Sequence, residues 1–111
     1  MQEEYDVTSI VDYDTTVLTD EPLDPAAAKA LIASILRTGS VTPSQHALEQ
    51  LKARAMTMVD VVNILRAGVV EPGEFLNGTW RYRVRTPRMN VVIAFRSETE
   101  LRVVTAWRGG R

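Results

Sequence analysis

Apolar positions keep helical spacing from residue 24 to residue 68, then change to the two-residue alternation of strands. The first helical stretch opens on Asp24 and Pro25, an N-cap and a first-turn proline, and continues through AAAKALIASILRT to Gly39. Ala28, Leu31, Ile32, Ile35 and Leu36 form its apolar stripe. Ser40 and Val41 read as a short connection, so the first two helices are expected to be neighbours. Thr42, Pro43 and Gln45 then predict the start of a central helix through a capping box. With His46 set at zero and about 100° added per residue, Leu48, Leu51 and Ala55 cluster on one side, and Gln50 and Arg54 lie within about 80° of His46. Thr57 and Asp60 repeat the start signal, and Met58, Val61, Val62 and Leu65 follow at i, i+3, i+4 and i+7. The many β-branched residues here would also suit a strand, but the cap and Gly68 decide for a helix.

After Gly68 the pattern is that of a sheet. Val69-Val70 predicts a short strand, and a loop from Glu71 reaches Asn77-Gly78, a strand-joining turn. From Thr79 to Arg85 the alternation is strict: Trp80, Tyr82 and Val84 on one face, Arg81, Arg83 and Arg85 on the other. Met89 to Phe95 is a continuous apolar run, as in a central strand, and Leu101 to Arg108 is a further strand. The sum is an α+β domain over residues 24–111, with N-terminal helices packed on one face of a three- to four-stranded antiparallel sheet. Residues 1–23 read as an acidic arm, partly extended along the body because its acidic residues are mixed with Tyr5, Val7, Ile10 and Val11.

Charge divides the chain at the same boundary. Residues 1–24 hold eight acidic residues and no Lys or Arg, whereas the remainder has 13 basic and 6 acidic residues, so −8 faces +7. An anionic partner for the basic body follows from this split, with the arm as a mimic of it or as a solubilising tail. A length of 111 residues fits one domain with one core. The absence of cysteine excludes disulfides, thiolate nucleophiles and sulfur-based zinc sites. No apolar run approaches the roughly 20 residues of a membrane span, and MQEEYDVTSI lacks the features of a signal peptide. The chain is expected to be soluble, unprocessed and cytoplasmic, without a membrane partner.

The arginine-bearing strand carries the main candidate chemistry. Residues 79–111 contain 8 arginines against 2 glutamates. With the helices on the Trp80 face, Arg81, Arg83 and Arg85 line the open face, with Arg88, Arg96, Arg102 and Arg108 nearby. Guanidinium groups bind phosphate bidentately, and Trp107 beside them offers a stacking surface for unpaired bases. The plainer alternative is that arginines keep a sheet face soluble. His46, the lone histidine, is a proton-transfer candidate, although a histidine at a helix N-terminus is more commonly structural. One histidine excludes a two-histidine ribonuclease mechanism and argues against a metal site. No P-loop and no Ser-His-Asp context occurs, and no cofactor is expected.

The run SQHALEQLKARAMTMVDVVNIL, then WRYRVR, an apolar strand and LRVVTAWR, resembles a small bacterial family with a helical "HA…R" signature and a "VVTVYR"-like final strand, placed among RelE-like toxin folds. The segment AKALIASILRTGSVTPSQHAL is similar to the opening of the MqsR messenger-RNA interferases. The resemblance spans roughly residues 28 to 108 and implies an α+β toxin of a type II toxin-antitoxin system, a metal-independent endoribonuclease acting on messenger RNA. The implied partners are RNA and a cognate antitoxin, which for MqsR-like members is an MqsA-like, zinc-binding protein. His46 and Arg54 match the helix signature. Arg81, Tyr82 and Arg83 fall where such folds place phosphate-binding and catalytic groups. Arg85, Arg88, Arg96, Arg102, Trp107 and Arg108 would then bind RNA. The sequence departs from MqsR in that the cationic groups of the sheet are arginines. In this scheme His46 or Tyr82 handles the proton while Arg54, Arg81 and Arg83 hold the phosphate. The alternative is a non-catalytic RNA- or protein-binding module using the cationic face.

Overall fold

The computed structural model describes residues 20–109, which form an α+β domain. Helix α1 (Pro25–Thr38) starts where Asp24 accepts a hydrogen bond from the Ala27 amide, and Ala28, Ile32 and Ile35 are its buried stripe. Strand β1 (Ser40–Pro43) leads to helix α2 (Gln45–Ala53), capped by the Ser44 side chain on the Ala47 amide. Helix α3 (Met58–Ala67) opens with a complete capping box, in which Thr57 and Asp60 each accept from the other's amide. Five strands follow: β2 (Val69–Val70), β3 (Glu74–Leu76), β4 (Thr79–Arg85), β5 (Met89–Phe95) and β6 (Glu100–Arg108).

The sheet runs β1-β6-β5-β4-β2, with β3 on the outer edge of β4; β1 lies parallel to β6 and every other pairing is antiparallel. Alternation sends Tyr82, Val84, Val91, Ile93, Leu101 and Val103 to the side where the helices bury their stripes. Burying each such aliphatic side chain contributes roughly 1.5–3 kcal/mol, which makes this single helix–sheet layer the main source of stability. Among the described residues no helix lies on the opposite face of the sheet, because all three described helices place their buried residues in that one core.

Two features differ from the expectation. The central helix begins after Ser44, not at Thr42, since residues 40–43 pair with β6 and the Thr42 hydroxyl bonds the Glu100 carboxylate. The sheet is also larger than three to four antiparallel strands, because β1 adds a parallel edge and residues 74–76 form a strand where a loop was expected. Helix α2 starts where Ser44 bonds the carbonyls of Val103 and Val104 and ends where Arg108 donates to the carbonyls of Arg54 and Ala55. Nine residues at about 1.5 Å rise match four strand steps at about 3.3 Å, so α2 lies along the part of β6 that β1 leaves unpaired. Residues 1–19 of the acidic arm lie outside the described residues.

Strands β2 and β3 are one edge line interrupted by a bulge. Val70 pairs with Val84 and Glu74 with Arg81, so four steps on the edge oppose three on β4. Gly73 fits at the bulge because a Cβ there would come within 2.9 Å of the Tyr82 ring. The hairpin then closes through Asn77 (φ 50°) and Gly78 (φ 83°), a type I′ pair. Gly73→Ala is expected to cost about 1–3 kcal/mol, because the buried Tyr82 ring has no space to yield. Urea denaturation at neutral pH measures it, and an unchanged midpoint would contradict the packing described.

Candidate functional site

The face of the sheet opposite the described helices holds a groove of about 440 Å³. Its floor is Val92, Val104 and Thr105 from the central strands, and Trp107 closes one end. Arg81 and Arg83 line it from β4, with Glu71, Pro72, Glu74 and Leu76 from the edge line. Pleating places the two arginines about 7 Å apart on one face, and the register sets Val92 and Thr105 in the same cross-strand row as Arg83. A second irregularity on β6 helps. The register shifts between Val92 and Ile93, which turns both Val104 and Thr105 toward the groove.

The bulge decides the electrostatics. Three positions apart on a regular strand, Glu71 and Glu74 would point to opposite faces; the extra residue between them brings both to the groove. Glu71 accepts from Arg83 Nε at 3.0 Å and Nη2 at 2.8 Å through one oxygen, and from Arg85 Nε through the other. The Arg85 hydrogen bond, then that of Arg83, holds the Glu71 carboxyl below its ordinary 4.5. Glu74 is different. It stands across from Arg81 in register, yet it has neither an ion pair nor a side-chain hydrogen bond among the described residues, because Arg81 Nε turns to the Thr79 hydroxyl at 3.4 Å.

Of the expected catalytic group, only Arg81 and Arg83 come together. Tyr82 points to the helix side with no exposure, its ring 5.3 Å from that of Phe95. The Tyr82 hydroxyl donates to Glu21 at 2.9 Å and accepts from the Leu23 amide at 3.0 Å. Burial pushes this phenol up to about 12, and the Glu21 carboxylate adds to the rise. A hydroxyl so held cannot meet a phosphate on the other side of the sheet. His46 is exposed in the first turn of α2, and Arg54 closes that helix with its guanidinium on Gln50. Eight residues of helical rise, about 12 Å, separate these two, and neither lines the groove.

The residues expected to bind RNA also divide. Trp107 is in the groove, and Arg85 is at its rim on Glu71. Arg108 caps the C-terminal end of α2, where a cation meets the helix dipole favourably. Arg102 is exposed on β6 opposite Thr42, and Arg88 and Arg96 sit in the turns flanking β5. Glu71, Glu74, Val92, Val104 and Thr105 are lining residues that sequence reasoning did not single out. The signal for the first two was a Pro-Gly pair between carboxylates, which marks a bulge only once the flanking strands are known to share one partner.

Among the described residues no cluster of three or more His, Asp or Glu is placed to hold a metal, and no helix is long and apolar enough to cross a membrane. Comparison with models of protein families, with curated proteins and with solved structures finds no match.

Two titrations follow from this geometry. The Tyr82 proton is held more tightly folded than unfolded, so its contribution to stability is complete below pH 10 and is lost as pH rises toward about 12. Phenolate absorbance should show one step near 12 that Tyr82→Phe removes; its persistence would place the tyrosine elsewhere. Glu71 has the opposite sign: its contribution is present above pH 4.5 and lost as pH falls through its depressed value. Glu71→Gln should therefore cost up to about 1 kcal/mol at pH 7, given the exposure of the pair, and the deficit should vanish in acid.

Proposed function

We propose that this chain acts on single-stranded RNA through the open face of its sheet, as a metal-independent endoribonuclease of the toxin-antitoxin kind. The observation that carries the reading is the groove, where Arg81 and Arg83 stand over an apolar floor beside Trp107. Guanidinium forks suit the non-bridging oxygens of a phosphodiester, and an indole suits the face of an unpaired base. Stacking on an indole requires a base freed from its neighbours, which favours a single strand over a duplex as the ligand. Cleavage by the adjacent 2′-OH needs the negative charge on phosphorus stabilised as the pentacoordinate state forms, a role that Arg81 and Arg83 are placed to fill. A toxin of this type is neutralised by a cognate antitoxin protein, the partner this reading carries with it.

A second reading has an observation of its own. Among the described residues the groove lining contains no histidine, and its two arginines are matched by two glutamates, a balance that fits a binding module as well as an enzyme. One experiment separates the two. Purified wild type is incubated with single-stranded RNA in chelator, beside Arg81→Ala and Arg83→Ala variants shown to be folded, and both binding and product ends are followed. The enzyme reading expects cut RNA with 2′,3′-cyclic phosphate ends from wild type alone. It also expects log affinity to fall less steeply with log salt in each variant, by about 0.7 per lost phosphate contact. Salt-sensitive binding with intact RNA would establish the module instead, and absence of binding would dismiss both.

A further inference from the structure

We propose that Glu74 is the general base of the RNA cleavage, an inference that rests on the ribonuclease reading above. Transesterification needs a group to take the 2′-hydroxyl proton beside the phosphate that the arginines hold. Among the described residues, the ionisable groups lining the groove are Glu71, Glu74, Arg81 and Arg83. Arginine stays protonated and cannot accept. Both carboxylate oxygens of Glu71 are taken by Arg83 and Arg85, and accepting a proton there would forfeit those bonds. Tyr82 is sealed on the other face of the sheet, and His46 stands on α2 outside the lining. Glu74 remains, a carboxylate with no side-chain partner among the described residues, on the strand next to Arg81.

Its position suits the step. Directly opposed residues on paired strands have Cβ atoms about 4.5–5.5 Å apart, so the Glu74 carboxylate and the Arg81 guanidinium reach a common point from neighbouring roots. The 2′-oxygen and the phosphorus it attacks are likewise close neighbours in one nucleotide. Arg81 leans toward the Thr79 hydroxyl and does not neutralise Glu74, which keeps the carboxylate free to accept. In the step, Glu74 takes the 2′-hydroxyl proton and the 2′-oxygen bonds to phosphorus. The bond from phosphorus to the 5′-oxygen breaks. The leaving 5′-oxygen takes a proton from water at the open groove, and Glu74 returns its own to solvent. The products are a 2′,3′-cyclic phosphate and a 5′-hydroxyl, with no change of oxidation state and no co-reactant.

The test pairs cleavage with binding. Initial rates on a short single-stranded RNA, in chelator and across pH, are measured for wild type, Glu74→Gln, Glu74→Asp and Glu98→Gln, the last an exposed turn residue outside the groove lining. Affinity is measured separately with the uncleavable 2′-O-methyl strand. Glu74→Gln should lower the rate roughly 10²- to 10⁴-fold, hold the affinity, and abolish the acidic limb of the pH profile. Glu74→Asp should recover part of the rate and keep that limb, and Glu98→Gln should behave as wild type. Cutting by Glu74→Gln at the wild-type rate, or a loss of affinity equal to the loss of rate, would overturn the role of Glu74 and leave the ribonuclease reading standing. Wild type that binds the strand but never cuts it would overturn both.

Discussion

The pleat of β4 is the constraint from which the rest of the molecule follows. Successive side chains of a strand leave on opposite faces, so a segment that alternates aromatic or aliphatic residues with arginine cannot be covered on both. Tyr82 and Val84, fully buried, fix which face receives the helices, and Arg81 and Arg83 are thereby committed to the other. Covering the arginines with a helix would mean desolvating at least two charges with one matched carboxylate pair at hand, a cost of several kcal/mol per unmatched ion. The open face is thus a consequence of core formation, and the groove is what the bulged edge line and the β6 irregularity build upon it.

Edge control shapes the same surface. Strand β6 is paired by β1 only through Val103, and α2 takes over from there, anchored by Ser44 at one end and Arg108 at the other. This arrangement keeps an outer strand from offering a long row of free backbone groups. Arg108 can serve there because it alternates with Trp107 and leaves β6 on the helix side, away from Arg81 and Arg83. On the far side, the Glu71-Pro72-Gly73 bulge twists the edge line and places a proline where a donor would be exposed, which protects that edge in another way.

How far the sequence discloses this structure depends on the range of each interaction. Helix α1 is legible to the residue, because Asp24, Pro25 and Gly39 act within one turn of the ends they define. Strand β4 is legible from its period and β5 from its continuous apolar run. Strand β1 is not: SVTP has the grammar of a helix start, and only the distant β6 makes it a strand. The site shows the same division. Arg81, Arg83 and Trp107 are readable from alternation and composition, whereas Glu74 becomes a site residue only through a bulge, which is a property of two strands in register. Tyr82 illustrates the reverse error. The alternation already placed it away from the arginines, and a likeness of motif outweighed that placement.

Glu71 gives the groove a character that arginine count alone hides. The guanidinium groups of Arg83 and Arg85 are held in orientation on one carboxylate, so less side-chain entropy would be lost on binding an anion there. The same carboxylate lowers the positive potential, which weakens non-specific attraction to any polyanion. Among the described side chains that line the groove the formal charges cancel. On the proposed reading, selectivity comes from a ligand that offers an anion to Arg81 and Arg83 and something other than an anion to Glu74. A ribose hydroxyl next to a phosphodiester offers both at adjacent atoms, and a DNA strand, which lacks that hydroxyl, offers only the first.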